Sequence, residues 1–195
     1  MYKRDVATTG NSNWQADAYL IDLLRLYHPE SILDLGVGKW AKMGNLIRRS
    51  IDEWNYIQYG ASPIRIVGVE GYRLNYRYIT DNYPNVYDVV HLKLIEDFIT
   101  EALEMSCTWD VIILGDVLEH INAGFAVIKQ LLELTKKAII VQLPLGEYKQ
   151  EVLINPLENH RETWTSDKIA ELYPAGLKKF VDYAGRDFVV FSIPK

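Results

Sequence analysis

Asp116-Val117-Leu118-Glu119-His120 sets two carboxylates and an imidazole within five positions. If a helix begins directly after the apolar run that ends at Leu114, then Asp116, Glu119 and His120 occupy i, i+3 and i+4 positions and turn to one side. An oxygen-rich set with an imidazole suits a divalent cation, Mg²⁺ or Mn²⁺ ahead of Zn²⁺. It equally suits proton transfer, because an unperturbed imidazole titrates near neutrality. His120 is then the candidate base, with His160 on a later loop as its alternative.

A second constellation lies earlier in the chain. Asp34-Leu35-Gly36-Val37-Gly38 follows the apolar run Ser31-Ile32-Leu33, and a second run, Ile64 to Val69, ends on Glu70. Gly36 and Gly38 let the backbone turn sharply and approach a ligand, while a carboxylate at the next strand tip can accept hydrogen bonds from both ribose hydroxyls. Two strand ends of this kind predict a nucleoside cleft. Gly36-Val37-Gly38-Lys39-Trp40-Ala41 also fits the dinucleotide pattern G-x-G-x-x-A, so an NAD-dependent oxidoreductase is an alternative class. The acid that such a fold places about 20 residues further on is displaced here by an insertion.

The elements that must position these residues alternate in period. A helix is predicted over residues 14–27, with capping oxygens from Asn11-Ser12-Asn13, and His28-Pro29 ends it. A strand at Ser31–Leu35 leads through the glycine turn to a helix near 40–51, and residues 54–63 read as an irregular insertion. Then follow a strand at Ile64–Val69, a helix at 72–82, a strand at Val86–Leu92 and a helix at 95–105. Asp110–Leu114 and Ala138–Leu143 are continuous apolar runs of the type buried on both faces of a parallel sheet, separated by a helix at 121–134. After Pro144 comes a loop of some twenty residues, long enough to suspect function. A short helix after Thr165-Ser166 and a hairpin, Leu177–Tyr183 with Asp187–Ile193, close the chain. The expectation is an α/β three-layer Rossmann-like sandwich, with a mostly parallel seven-stranded sheet and a C-terminal antiparallel hairpin. Gly36, Glu70, Asp116 and Pro144 then share the carboxyl edge of the sheet, where ligands of such sheets bind.

Composition narrows the function classes. The 195 residues are 49% hydrophobic and 24% charged, which fits one domain spanning 1–195, with residues 1–30 as an N-terminal helical extension packed on it. Twenty-one basic against 26 acidic residues leave a net charge of −5, which does not favour nucleic acid as a partner. The single cysteine, Cys107, excludes an intramolecular disulfide, and no stretch reaches the roughly 18 apolar residues of a membrane span. A reducing, cytoplasmic location is the expectation.

Ile32-Leu33-Asp34-Leu35-Gly36-Val37-Gly38, Val67-Gly68-Val69-Glu70-Gly71-Tyr72 and Asp110 to His120, with the closing hairpin, resemble class I S-adenosylmethionine-dependent methyltransferases from about residue 14 to 193. The resemblance implies S-adenosylmethionine as cofactor, with Gly36 and Gly38 binding through backbone and Glu70 through its carboxylate on the ribose. It also implies that Asp34 orients the turn or the donor's amino group, and that Gly71, Tyr72, Gly115 and Asp116 lie near the nucleoside or the methionine. The acceptor is read here as an oxygen, or less readily a nitrogen, of a small molecule or a carrier-linked glycan precursor. Two departures stand out: Trp40 replaces a third glycine, and Leu92-Lys93-Leu94 stands where many members place an acid for adenine. They leave room for a non-catalytic binding subunit of the same fold. Glu96 and Asp97 read as solvated charges at a helix start.

The spacing of Asp116, Glu119 and His120 also resembles the D/E-x-x-E-H cluster of metal-dependent polyprenyl-quinone and small-RNA 2′-O-methyltransferases, with His160 as a fourth ligand. The same D-x-L-E-H occurs in metal-free members, where the glutamate caps a helix and the histidine lines the acceptor pocket. Asn155-Pro156-Leu157-Glu158-Asn159-His160-Arg161 and Trp164 resemble the loop after the fifth strand in a bacterial subgroup. Tyr148 and Trp164 are candidate walls of the acceptor pocket, and Arg161 can hold an anionic substrate group.

Overall fold

A computed structural model describes residues 14–60, 62–147, 154–182 and 184–195, apart from the side chains of residues 14, 54, 58 and 59. The apolar runs form β1 (Ser31–Leu35), β2 (Arg65–Glu70), β3 (Val89–Leu92), β4 (Trp109–Gly115) and β5 (Thr135–Pro144). The closing hairpin is β6 (Ala175–Val181) with β7 (Asp187–Pro194). The sheet order is β3-β2-β1-β4-β5-β7-β6, with β7 antiparallel to both neighbours and the other pairings parallel. An antiparallel β7 between β5 and β6 departs from the dinucleotide-binding order 3-2-1-4-5-6.

Alternation along the central strands supplies both faces of the sandwich. Leu33, Leu35, Ile112 and Leu114 pack on one side with Phe98 and Ile99 of α5 (Ile95–Glu104), Val127 and Ile128 of α6 (Gly124–Leu134) and Ile169 of α7 (Ser166–Ala170). Ile32, Ile66, Val111 and Ile113 pack on the other with Leu20 and Leu23 of α1 (Asp17–Tyr27), Met43 and Ile47 of α2 (Lys42–Ile47) and Ile79 of α4 (Arg73–Asn82). α1 ends on His28, left-handed at φ 44° with its N–H on Leu24 O. It is tied to the body by Asp17–Lys42 at 2.7 Å and by Tyr27 Oη against Ser192 Oγ at 2.8 Å. The stretch expected to cap it, Asn11-Ser12-Asn13, lies outside the described residues. No helix among the described residues is long and apolar enough to cross a membrane.

Residues 54–63 depart from the expected irregular insertion. The helix that starts at Lys42 continues through a π-helical stretch, Arg48–Asp52, into α3 (Glu53–Tyr59), which stops at Gly60, left-handed at φ 61°. A π turn inserts a residue into the helical repeat, so the apolar phase slips and the second half no longer reads as a continuation. Arg48 secures the slip. It donates to Val86 O at 2.9 Å, Ile64 O at 2.6 Å and Asp52 Oδ2 at 2.6 Å, joining the helix to the starts of β2 and β3. Val86 and Tyr87, expected in the third strand, precede it. Val86 O serves Arg48 and Tyr87 turns beneath the sheet, so pairing with β2 starts at Val89.

Candidate active site

The turn after β1 is built around two left-handed glycines, Gly36 at φ 75° and Gly38 at φ 66°. The N–H groups of Gly36 and Val37 both donate to Val69 O, at 2.9 and 3.2 Å, which draws the turn onto β2. A Cβ at Gly36 would lie 2.5 Å from Val117 Cγ2, whereas one at Gly38 would meet nothing within 4 Å. Gly36 is therefore required by packing against the β4 exit, and Gly38 leaves open backbone on the cleft side. Trp40 does not fill that space as a plug: it is 42% exposed and packs edge-on against Tyr78 of α4.

Glu70 closes the turn. Its Oε2 accepts from Gly38 N at 2.9 Å and its Oε1 from Tyr72 N at 2.7 Å. Burial pushes its carboxyl up to about 7, against the pull of the Tyr72 and Gly38 amides; the Glu158 charge adds to the rise, and Asn75 opposes it. With Gly38 N, Tyr72 N and the Asn75 side chain as donors, the carboxylate retains room for one further donor. Gly71 is required for a neighbour: a Cβ there would stand 2.9 Å from Leu157 Cδ1 and 3.3 Å from Leu94 Cδ2.

Asp34 points into the body of the protein, where Tyr87 Oη donates to its Oδ2 at 2.6 Å and Gly44 N donates to Tyr87 Oη at 3.1 Å. Burial raises Asp34 to about 6, in spite of the Tyr87 bond. The chain Asp34–Tyr87–Gly44 fixes the start of α2 beneath the glycine turn, so Asp34 reaches the turn through Tyr87. No motif in the sequence singles out Tyr87. Two glycines make room for its ring: a Cβ at Gly44 would lie 2.6 Å from Tyr87 Cζ, and one at Gly68 3.0 Å from Tyr87 Cδ1.

The β4 exit differs from expectation in its local geometry. Asp116 is left-handed at φ 54°, Leu118–His120 is a single 3₁₀ turn, and α6 begins only at Gly124. The helical i, i+3, i+4 spacing of Asp116, Glu119 and His120 therefore does not form. Asp116 turns toward β5, where its Oδ2 accepts from Gln142 Nε2 at 2.9 Å. Glu119, His120 and His160 instead converge, each offering a ligand atom, with all three atoms within 4.8 Å of one another; Asp116 is outside this set. Glu119 is 3% exposed and its Oε2 has no partner. Burial, then the Asp116 charge, hold its carboxyl well above the usual range.

His120 Nδ1 lies 3.3 Å from Asn159 O, which assigns the proton to Nδ1 and leaves the Nε2 lone pair 3.8 Å from Glu119 Oε1. Burial lowers His120 to about 4; the Asn159 carbonyl opposes this, and His160 and Arg161 reinforce it. The two imidazoles meet edge to face at 4.9 Å.

Residues 154–164, in the loop after β5, cross this edge of the sheet as a strap. At one end Tyr72 Oη donates to Ile154 O at 3.2 Å; at the other, Arg161 N and Glu162 N donate to Glu119 O at 2.8 and 3.1 Å. Asn155 organises its middle: Oδ1 accepts from Leu157 N at 3.1 Å, and Nδ2 donates to Glu158 Oε1 at 3.3 Å. Trp164, expected to wall the acceptor pocket, is fully buried and stacks on Phe125 at 5.3 Å, so it anchors the strap. Its Cζ2 would be 2.6 Å from a Cβ at Gly124, whose N–H donates to Glu162 Oε2 at 2.9 Å. Arg161 is exposed, Tyr148 lies outside the described residues, and Glu96 and Asp97 are exposed in the first turn of α5. His91 packs on Phe98 at 5.1 Å. A groove of about 430 Å³ lined by Ile21, Arg25, Arg49 and Ile57 shares none of these residues.

No protein-family model and no curated protein matches the chain. Among solved structures, an O-methyltransferase from Bacillus cereus in complex with SAH is similar at TM-score 0.66 and 14% identity, covering 97% of this chain and 84% of that one. A putative O-methyltransferase from Klebsiella pneumoniae is similar at TM-score 0.64 and 12% identity, covering 98% and 85%. An O-methyltransferase of tomaymycin synthesis from Streptomyces achromogenes, in complex with SAM, follows at TM-score 0.60 and 12% identity, covering 98% and 83%. The chain has the class I S-adenosylmethionine-dependent methyltransferase fold.

Proposed function

We propose that the protein is an S-adenosylmethionine-dependent methyltransferase acting on an oxygen of a small-molecule or carrier-linked acceptor. The observation that carries this reading is the Glu70 carboxylate joined to Gly38 N beside an open glycine bend, with Glu119, His120 and His160 at the neighbouring strand exit. The remaining lone pair of Glu70 suits a ribose hydroxyl, and the exposed face of Gly38 suits the methionine end. Asp34, through Tyr87, and Gly36 shape the turn, and Gly71, Tyr72, Gly115 and Asp116 complete the donor side in this reading.

Methyl transfer asks for alignment more than covalent chemistry. The acceptor oxygen attacks the methyl carbon, the S–C electron pair returns to sulfur, and the acceptor proton must leave. A base serves best with a pKa near the working pH. At about 4, His120 is better suited to giving its Nε2 lone pair to a cation than to keeping a proton; His160, its neighbour in space, is the alternative base.

The donor set also fits a divalent ion: two imidazoles and a buried carboxylate with an orphaned Oε2, within 4.8 Å. With two nitrogens and one oxygen, it suits Mn²⁺ or Zn²⁺ better than Mg²⁺. When bound, such an ion would acidify an acceptor hydroxyl.

The test is calorimetric binding of S-adenosylmethionine and NAD to the purified protein, with label transfer from methyl-labelled donor into small-molecule extracts. Donor binding with transfer to an alkali-stable ether supports the reading. Preference for NAD, or binding without transfer to any pool, overturns it.

A further inference from the structure

Asn75 is the one polar side chain that α4 buries: it is 2% exposed, and Ile79 is the other buried residue of that helix. It stands at the third helical position after Tyr72, the residue that caps the helix start. A side chain at that position reaches back toward the N–H of the capping residue. Here the Tyr72 N–H is already given to Glu70 Oε1 at 2.7 Å, so the Asn75 side chain meets the carboxylate itself and donates to it. The donating atom is Nδ2, since the reverse setting of the amide would press Oδ1 against the carboxylate. Oδ1 is then buried without a donor.

A buried amide with one end unsatisfied is a poorer choice for stability than an apolar side chain. The residue type at this position is therefore explained by Glu70 and not by packing. Burial drives the Glu70 carboxyl toward its protonated form, and the Tyr72, Gly38 and Asn75 donors oppose that change. Protonation takes up acceptor capacity that a ribose hydroxyl needs.

Resting on the donor site proposed above, we infer that Asn75 is a positioning residue, whose amide holds the Glu70 carboxylate oriented and ionised for a ribose hydroxyl of the donor. Buried itself, it acts through Glu70. The charged and titratable groups on the elements around Glu70 are Asp34 and Lys39 about the glycine turn, Arg73 at the start of α4, Tyr87 and Lys93 on either side of β3, and Glu158 on the strap. Glu158 adds to the rise of Glu70, and Lys93 is paired with Glu101. An exchange at position 75 leaves all of them in place.

The test measures the affinity of the full-length wild type and of Asn75→Leu for S-adenosylmethionine from pH 6 to pH 9. Leucine keeps the branch at Cγ and removes both the donor and the orphaned acceptor. Loss of one donor to the carboxylate should raise the pH at which affinity falls by about one unit. The variant should then bind about tenfold more weakly than the wild type at pH 6, and within about twofold of it at pH 9. Equal weakening at every pH is the mark of a merely structural role and overturns the inference, as does a profile that does not move. Because the variant can fail to fold, the side-chain amide signals of Asn75 are also followed by NMR in the ligand-free wild type over the same range. They should shift with the titration of Glu70, and signals that stay fixed refute the inference. If the wild type binds no S-adenosylmethionine at any pH, the donor-site reading itself falls; if it binds with a pH profile that the variant shares, only the inference falls.

Discussion

Glu70→Gln tests the site through stability as well as ligand binding. A carboxyl raised from 4.5 to about 7 by burial represents about 3 kcal/mol, at about 1.4 kcal/mol for each pH unit. The folded state holds this proton more tightly than the unfolded chain. The stabilisation is therefore fully present below pH 4.5, declines as pH rises, and is gone above about 7. Glutamine does not titrate, so the variant lacks this decline. Its amide nitrogen confronts one of the Gly38 and Tyr72 N–H donors, at a pH-independent cost of about 1–3 kcal/mol. The readout is therefore the difference in unfolding free energy between wild type and variant, from urea titrations at intervals between pH 4.5 and 8.5. Asp34 and Glu119 are present in both proteins and largely cancel. The wild type should lose about 3 kcal/mol relative to the variant over this range. Parallel curves would refute the argument, since they would mean that Glu70 is not held protonated by its surroundings. On the proposed function, S-adenosylmethionine would bind the ionised carboxylate, so wild-type affinity should weaken about tenfold from pH 8 to pH 6, and Glu70→Gln should lose donor binding.

Tyr87→Phe removes the hydroxyl between Asp34 and Gly44 N, and should lower unfolding free energy by about 2 kcal/mol in chemical denaturation. Gly44→Ala places a methyl 2.4 Å from Val86 Cγ1 and 2.6 Å from Tyr87 Cζ, and should cost about 1–3 kcal/mol by the same measurement. Arg48→Ala strips the donor from Val86 O and Ile64 O, and should raise amide exchange across residues 48–59 more than in α6; uniform exchange would contradict the clamp. Dialysis against Mn²⁺ or Zn²⁺ should load about one ion per chain, and Glu119→Ala should abolish the loading. Methyl transfer unaltered by exhaustive chelation would remove the metal from the reaction.

Much of the fold was legible because the runs that form β1, β2, β4 and β5 are buried on both faces, and such runs are recognisable whatever packs on them. The α3 region was not legible, because the π turn at Arg48–Asp52 breaks the phase on which helix recognition depends. The site was legible where backbone geometry demands a residue type, as at Gly36, Gly38 and the strand-end Glu70. It was illegible where side chains meet across the chain. Tyr87 reaches Asp34 from 53 positions away, and His160 and Asn159 are carried onto His120 by the strap.

The sequence by itself determined the alternation of strands and helices, the glycine turn and the acid of the second strand, since each follows from local sterics or from the period of apolar residues. Only the tertiary structure decided which carboxyls are pushed up, which imidazole is pushed down and which side chains converge at the β4 exit. Those properties come from burial and from partners distant in the chain, and no local pattern encodes how much water a carboxylate keeps.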